Sequence, residues 1–115
     1  ENRLWGTIES SGLLMDIDVI KMQVRDGHFR LSIHAEIEAE YDNLDIGQIV
    51  EAILADEILE HYPDTGRGES CLVVGFAQQT PVHVVCGMRN ELVMIVTVYI
   101  PGPPRFRDPW TRARE

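Results

Sequence analysis

The side chains best suited to chemistry are two histidines, a strand tyrosine and a cluster of C-terminal arginines. His83 stands inside Pro81–Met88, an otherwise apolar run rich in β-branched residues. An imidazole in such a run needs either a hydrogen-bond partner or a task. His34 stands at the start of a helix-like run. Imidazole titrates near neutral pH, so both rings are candidates for giving and taking a proton. Tyr99 and Thr97 close a further apolar run, where a hydroxyl can orient a histidine or a phosphate. Arg105, Arg107, Arg112 and Arg114 are interleaved with Phe106 and Trp110, a composition able to clamp a phosphate and stack a base. The structural alternative is a core histidine satisfied by Thr97 or Tyr99, with a tail that is flexible or docks on the chain's own acidic helices.

Three runs must position this set: Ser70–Phe76, Pro81–Met88 and Glu91–Ile100. Their β-branched content and bounding turn residues predict an antiparallel meander. A first turn centred on Gln78-Gln79 pairs residues whose numbers sum to 157, which sets Cys71 opposite Cys86. A three-residue second turn at Arg89-Asn90-Glu91 pairs residues summing to 180, which sets His83 opposite Thr97 and diagonal to Tyr99. One face then holds Leu72, Val74, Phe76, His83, Val85, Val93, Ile95, Thr97 and Tyr99. The other holds Cys71, Val73, Gly75, Val82, Val84, Cys86, Met94, Val96 and Val98. Both faces are apolar, so both require cover. A two-residue second turn would point His83 away from Thr97 and Tyr99 and dissolve the constellation.

Upstream, Leu14 to Asp26 has helical periodicity, with Gly27 placed to stop it. His28 to Ile33 alternates as a short strand, and Ser32 is a candidate cap for a helix over His34 to Asn43. In that helix Ile37 and Tyr41 lie four apart, with Glu36, Glu38, Glu40 and Asp42 turned largely outward. Asp45 and Gln48 form a capping-box pattern for a helix burying Ile46, Ile49, Val50, Ile53 and Leu54. Glu57 to Tyr62 reads as an edge strand. Pro101, Pro103, Pro104 and Pro109 exclude a helix before about Trp110. The expectation is a single α+β domain over residues 1–115, with an irregular segment over 1–12 and a Pro/Arg-rich tail over 101–115. Its antiparallel sheet has four to five strands with two or three helices, the pair over residues 34–56 covering one face.

The net charge of −9 is unevenly spread. Leu31 to Gly66 holds ten acidic residues and neither lysine nor arginine. Nucleic-acid binding normally needs a basic footprint, which only the tail supplies; the acidic stretch suits a basic partner or a solvated face. The longest apolar run, Leu92 to Ile100, is half of what a membrane span needs, so no membrane contact is expected. With no signal peptide visible, the cytoplasm is the expected location, and Cys71 and Cys86 are expected as reduced, buried thiols. His28, His34, His61, His83 and the cysteines show no metal-ligand spacing, so neither metal nor cofactor is expected.

Several segments together resemble a known family. They are Ser32 to Ala35, Asp45-Ile46 opening a helix, Glu57 to Asp64, Ser70 to Gly75, Pro81 to Val85, and Ile95 to Tyr99 with Pro101. In this order they resemble a bacterial family catalogued as domain of unknown function 4258, over roughly residues 15 to 110. That family looks like a relative of the RelE/ParE-type toxins, in which helices pack on an antiparallel sheet. The resemblance implies a RelE-like fold and a toxin-like protein of a toxin–antitoxin pair, with endoribonuclease action on mRNA. It implies an antitoxin protein and RNA as partners, and a homodimer is a further candidate. It carries over His34, His83 and Tyr99 as catalytic candidates. Thr97, Arg105, Arg107 and Trp110 are the substrate-binding candidates. The chain departs from the family pattern at Glu36 to Asn43, where the family tends to place arginines and this sequence has none. The alternative is a catalytically inactive binding or homo-oligomeric module on the same scaffold.

Overall fold

A computed structural model describes residues 16–55, 57–62, 68–103 and 106–112. The element order is α1 (Ile17–Arg25), β1 (Phe29–Leu31), α2 (Ile33–Tyr41), α3 (Ile46–Leu54), β2 (Glu57–Tyr62), β3 (Ser70–Ala77), β4 (Thr80–Arg89), β5 (Leu92–Tyr99), β6 (Phe106–Asp108) and β7 (Thr111–Arg112). This is the expected α+β class. The start of the expected first helix at Leu14 and the segment 1–12 lie outside the described residues.

Local chemistry sets each helix. Asp16 caps α1 by accepting from Asp18 N, and Gly27, at φ +83°, turns the chain out behind it. Ser32 Oγ accepts from Ala35 N at the head of α2 and donates to the Val96 carbonyl of β5. Asp45 and Gln48 form both halves of a capping box on α3.

The main sheet has five strands in the order β1-β5-β4-β3-β2. Three of its pairings are antiparallel, while β1 runs parallel to β5; the sheet is therefore mixed. β2 is an edge strand, as its sequence suggests. The β3–β4 register sets Cys71 opposite Cys86 and Val74 opposite His83. Glu51 of α3 accepts from the Gln78 N–H in the turn that fixes this register.

The β4–β5 hairpin differs from expectation twice, and the two differences compensate. Its turn has two residues, Asn90 and Glu91, both left-handed at φ +54° and +65°, with Arg89 opposite Leu92. That alone would turn His83 away from Tyr99. A β-bulge restores the parity: Cys86 pairs Ile95 but Val85 pairs Thr97, leaving Val96 as the extra residue. His83 consequently lies directly opposite Tyr99, not Thr97. Val93 and Ile95, expected on the His83 face, join the helix-side core instead.

That core combines Ile20 and Val24 of α1, Ala35 and Ala39 of α2 and Ile49, Ala52 and Ile53 of α3 with Cys71, Val73, Val82, Val84, Cys86, Val93, Ile95 and Val98 of the sheet. Ile46, expected inside, is half exposed at the first turn of α3. Only α3 of the expected pair lies over β3 and β4; α2 runs along the open edge of β5. There the parallel pairing by β1 ends at Ile95. Beyond it Glu38 accepts from Val98 N at 3.1 Å and Asp42 accepts from Ile100 N at 2.9 Å. Thr97 Oγ1 also donates to Glu38 Oε1. Two carboxylates one helical turn apart thus match alternate N–H groups of a strand, which satisfies backbone donors that an edge would leave open. This reverses the expected facing of α2: Glu38 and Asp42 turn toward the strand, while Ile33, Ile37 and Tyr41 are 77%, 61% and 87% exposed.

The other sheet face is covered by the tail. Strands β6 and β7 form a second, two-stranded sheet. Its turn is Pro109-Trp110, where Asp108 Oδ1 accepts from Trp110 N at 2.9 Å. Phe106 is buried against His83, and Trp110 packs on Phe76 with ring centroids 5.8 Å apart. Leu72 and Val74 are buried on this same face.

Candidate functional site

His83 is fully buried at the centre of the sheet. Its Nε2 lies 2.6 Å from the Pro109 carbonyl oxygen, and its Nδ1 lies 3.3 Å from the Tyr99 hydroxyl. A carbonyl can only accept, so Nε2 carries the proton, and Nδ1 of the neutral ring accepts from Tyr99. The Phe106 ring meets the imidazole edge-on at 4.4 Å between centroids and 89° between planes. Burial pushes the His83 pKa below its ordinary value, against the opposing pull of the Pro109 carbonyl and of Glu60. Both ring nitrogens are engaged, and burial favours the neutral ring.

A second cluster ties the tail to the sheet edge. Arg112 of β7 forks onto Glu60 of β2, with Nε donating to Oε2 at 2.7 Å and Nη2 to Oε1 at 2.8 Å. The same guanidinium lies 4.8 Å from the Phe106 ring centroid. Tyr62 donates its hydroxyl to Glu60 Oε1 at 2.5 Å. Hydrogen bonds from Arg112 hold the Glu60 carboxyl below its usual range. Burial, then the bond to Glu60, pushes the Tyr62 hydroxyl up to about 12. Sequence reading missed this cluster, although Glu60 and Tyr62 stand two apart on one strand and therefore project to one face.

The third feature is a cleft of about 340 Å³ between α2 and the end of β5, lined by Ile37, Glu38, Tyr41, Asp42 and Tyr99. His34 stands 70% exposed, with Nε2 3.3 Å from Glu38 Oε2. Through Glu38 it is linked to Thr97.

The sequence candidates therefore fall into separate places. His83 and Tyr99 touch, and Pro109 completes their bonding. His34 and Thr97 meet at Glu38, on the helix that borders β5. Trp110 is half exposed on Phe76, Arg107 is exposed on β6, and Arg105 lies outside the described residues. Glu38 is the group missed between them; its spacing from Asp42 was visible, but the strand edge that they serve was not. Among the described residues no group of three His, Cys, Asp or Glu side chains stands close enough to hold a metal ion. No helix among them is long and apolar enough to cross a membrane.

Fold and site together define a small α+β domain with one sheet face under helices and the other under its own C-terminal hairpin. The chain belongs to the family described as Domain of unknown function (DUF4258), whose model matches residues 31–100. The matched segment runs from the end of β1 to the residue after β5; it contains His34, His83, Thr97 and Tyr99 and stops before the hairpin that covers His83. No curated protein and no solved structure matches the chain.

Proposed function

We propose that this domain is a protein-binding module on a toxin-like scaffold and that the exposed face of α2 receives the partner. The observation that carries this reading is the stripe of Ile33, Ile37 and Tyr41, three large side chains at four-residue spacing turned to solvent. Such a stripe on a short helix is the arrangement by which one helix engages another in a groove or along a face. Acidic residues border it on the same helix at Glu36 and Glu40, which favours a basic partner and disfavours RNA. The buried, doubly bonded state of His83 supports the same reading, because a proton-transfer group must reach its substrate.

The test is to identify the protein that co-purifies with the chain in a bacterial host and rebuild the complex from purified components. Wild type should form the complex, and Ile37→Lys should abolish it while leaving the fold intact by circular dichroism. An unaffected complex overturns the reading.

The second reading is the endoribonuclease of a toxin–antitoxin pair related to the RelE/ParE type. The exposed His34 ring favours it, paired with Glu38, which lines the cleft with Tyr41 and Tyr99, since a solvent-facing imidazole oriented by a carboxylate can exchange protons. Induced expression separates the two: growth arrest by wild type, relieved by His34→Ala at equal expression, supports the nuclease. Arrest that persists in that variant removes His34 from it.

A further inference from the structure

We propose that the cleft between α2 and the end of β5 seats a cationic side chain, foremost arginine, presented by a basic amphipathic segment of another protein. This rests on the reading of α2 as a protein-docking face and adds the chemistry of what docks there.

The cleft is lined by Ile37, Glu38, Tyr41, Asp42 and Tyr99, and its wall is mainly apolar, which suits the methylene stem of a long cationic side chain. Aromatic faces carry negative quadrupole potential and attract a guanidinium or ammonium group. The carboxylates add full charge. Asp42 Oδ2 accepts from the Ile100 N–H, and Glu38 Oε1 accepts from the Val98 N–H and the Thr97 hydroxyl. Those donors are neutral, so they orient the carboxylates without cancelling their charge, while the His34 ring stands 3.3 Å from Glu38 Oε2. No lysine or arginine occurs between residues 31 and 66 to supply a local counter-ion from these helices. A volume of about 340 Å³ is at the small end of ligand-sized cavities, suited to one long side chain. Phosphate is excluded on the same grounds, because two carboxylates on one wall repel it.

The surroundings set the rest of the partner. Ile33 and Ile37 continue the apolar stripe along α2, so a segment laid beside them would place apolar residues there and a cation in the cleft. A second copy of this chain fits less well, since its own α2 stripe is bordered by the same acidic residues.

The probe is N-acetylarginine amide, titrated into the full chain and followed by residue-resolved NMR, with N-acetylcitrulline amide as the neutral isostere. The expected result is saturable shifts at Tyr41 and Tyr99 with a dissociation constant on the order of millimolar. Citrulline amide should bind roughly tenfold more weakly, and Tyr41→Ala should weaken the arginine probe at least about threefold. Asp42→Asn keeps an acceptor for Ile100 while removing the charge, and should weaken it similarly. An equal response to both probes, or no response at Tyr41 and Tyr99, overturns the assignment. That failure is separable from failure of the docking face: a rebuilt complex that ignores Ile37→Lys removes the face, whereas the arginine titration reports on the cleft alone.

Discussion

The proton on His83 Nε2 points at the Pro109 carbonyl oxygen, 2.6 Å away. One side chain from the middle of the sheet thereby holds the turn of the C-terminal hairpin. The ring must be neutral to do this while also accepting from Tyr99 at Nδ1.

A pH dependence follows from that neutrality. Burial depresses the His83 pKa in the folded state below 6.5, the ordinary value that the unfolded chain regains. As pH falls through that ordinary value, the unfolded chain takes up a proton that the folded chain refuses. The stabilisation is present above it and declines toward the lower folded value, by about 1.4 kcal/mol for each unit of depression. Urea unfolding at about pH 7.5 and about pH 5.5 should show wild type losing more stability on acidification than His83→Gln does. Equal losses would mean that His83 does not contribute to the acid sensitivity.

The Glu60–Arg112 fork should matter in a lower pH window. Arg112 depresses the Glu60 pKa, so its stabilisation fades only as pH drops below the normal glutamate range. The side chains are 26% and 52% exposed, and solvent screening limits the coupling to about 0.5–1 kcal/mol. A double-mutant cycle with Glu60→Gln and Arg112→Met should return that magnitude and shrink in high salt. A coupling near zero at low salt would leave the fork without energetic weight.

Removing the helical carboxylates should expose the strand edge that they satisfy. Glu38→Ala leaves Val98 N–H and the Thr97 hydroxyl without their acceptor, and the expected loss is about 1–3 kcal/mol. Glu38→Gln retains an oxygen and should lose less. Amide exchange at Val98 should quicken in the alanine variant; unchanged protection there would refute the role.

At the β4–β5 turn, Glu91 holds φ +65°, a region that costs a residue with a Cβ about 1–2 kcal/mol. Glu91→Gly creates the Asn-Gly pair that such two-residue turns favour. A gain of about 1 kcal/mol is expected, less than the full strain because glycine also frees the unfolded chain. Thermal unfolding midpoints would register it, and a lowered midpoint would contradict the assignment.

Much of the scaffold was legible from local chemistry. Gly27, Ser32 and the Asp45–Gln48 pair act within a few residues of themselves, and the β3–β4 register follows from one short turn. The β4–β5 register was not, because Glu91 in a left-handed turn carries no sequence signature and the bulge at Val96 looks like any valine. His83 and Tyr99 were brought together on the wrong count: two one-residue slips add to two, which keeps the facing and moves the partner of His83 from Thr97 to Tyr99. The exposed side of α2 was hidden for another reason. Periodicity places Ile37 and Tyr41 on one side of a helix and Ile33 on the strand before it, but it cannot reveal that Ile33 opens the helix, or that Ala35 and Ala39 face the core while acids face a strand. The tail's arginines suggested a polynucleotide; Arg112 instead meets Glu60, fifty-two residues earlier, a pairing that spacing does not encode.

The carboxylates along β5 also complete a border of the sheet where its outermost strand is too short. β1 pairs β5 only from Phe29 to Leu31, opposite Val93 to Ile95, and beyond it the outward N–H groups of Val98 and Ile100 find their acceptors on α2. A second chain seeking to pair with this stretch of β5 would first have to displace Glu38 and Asp42, so the two side chains act as a plug against strand addition there.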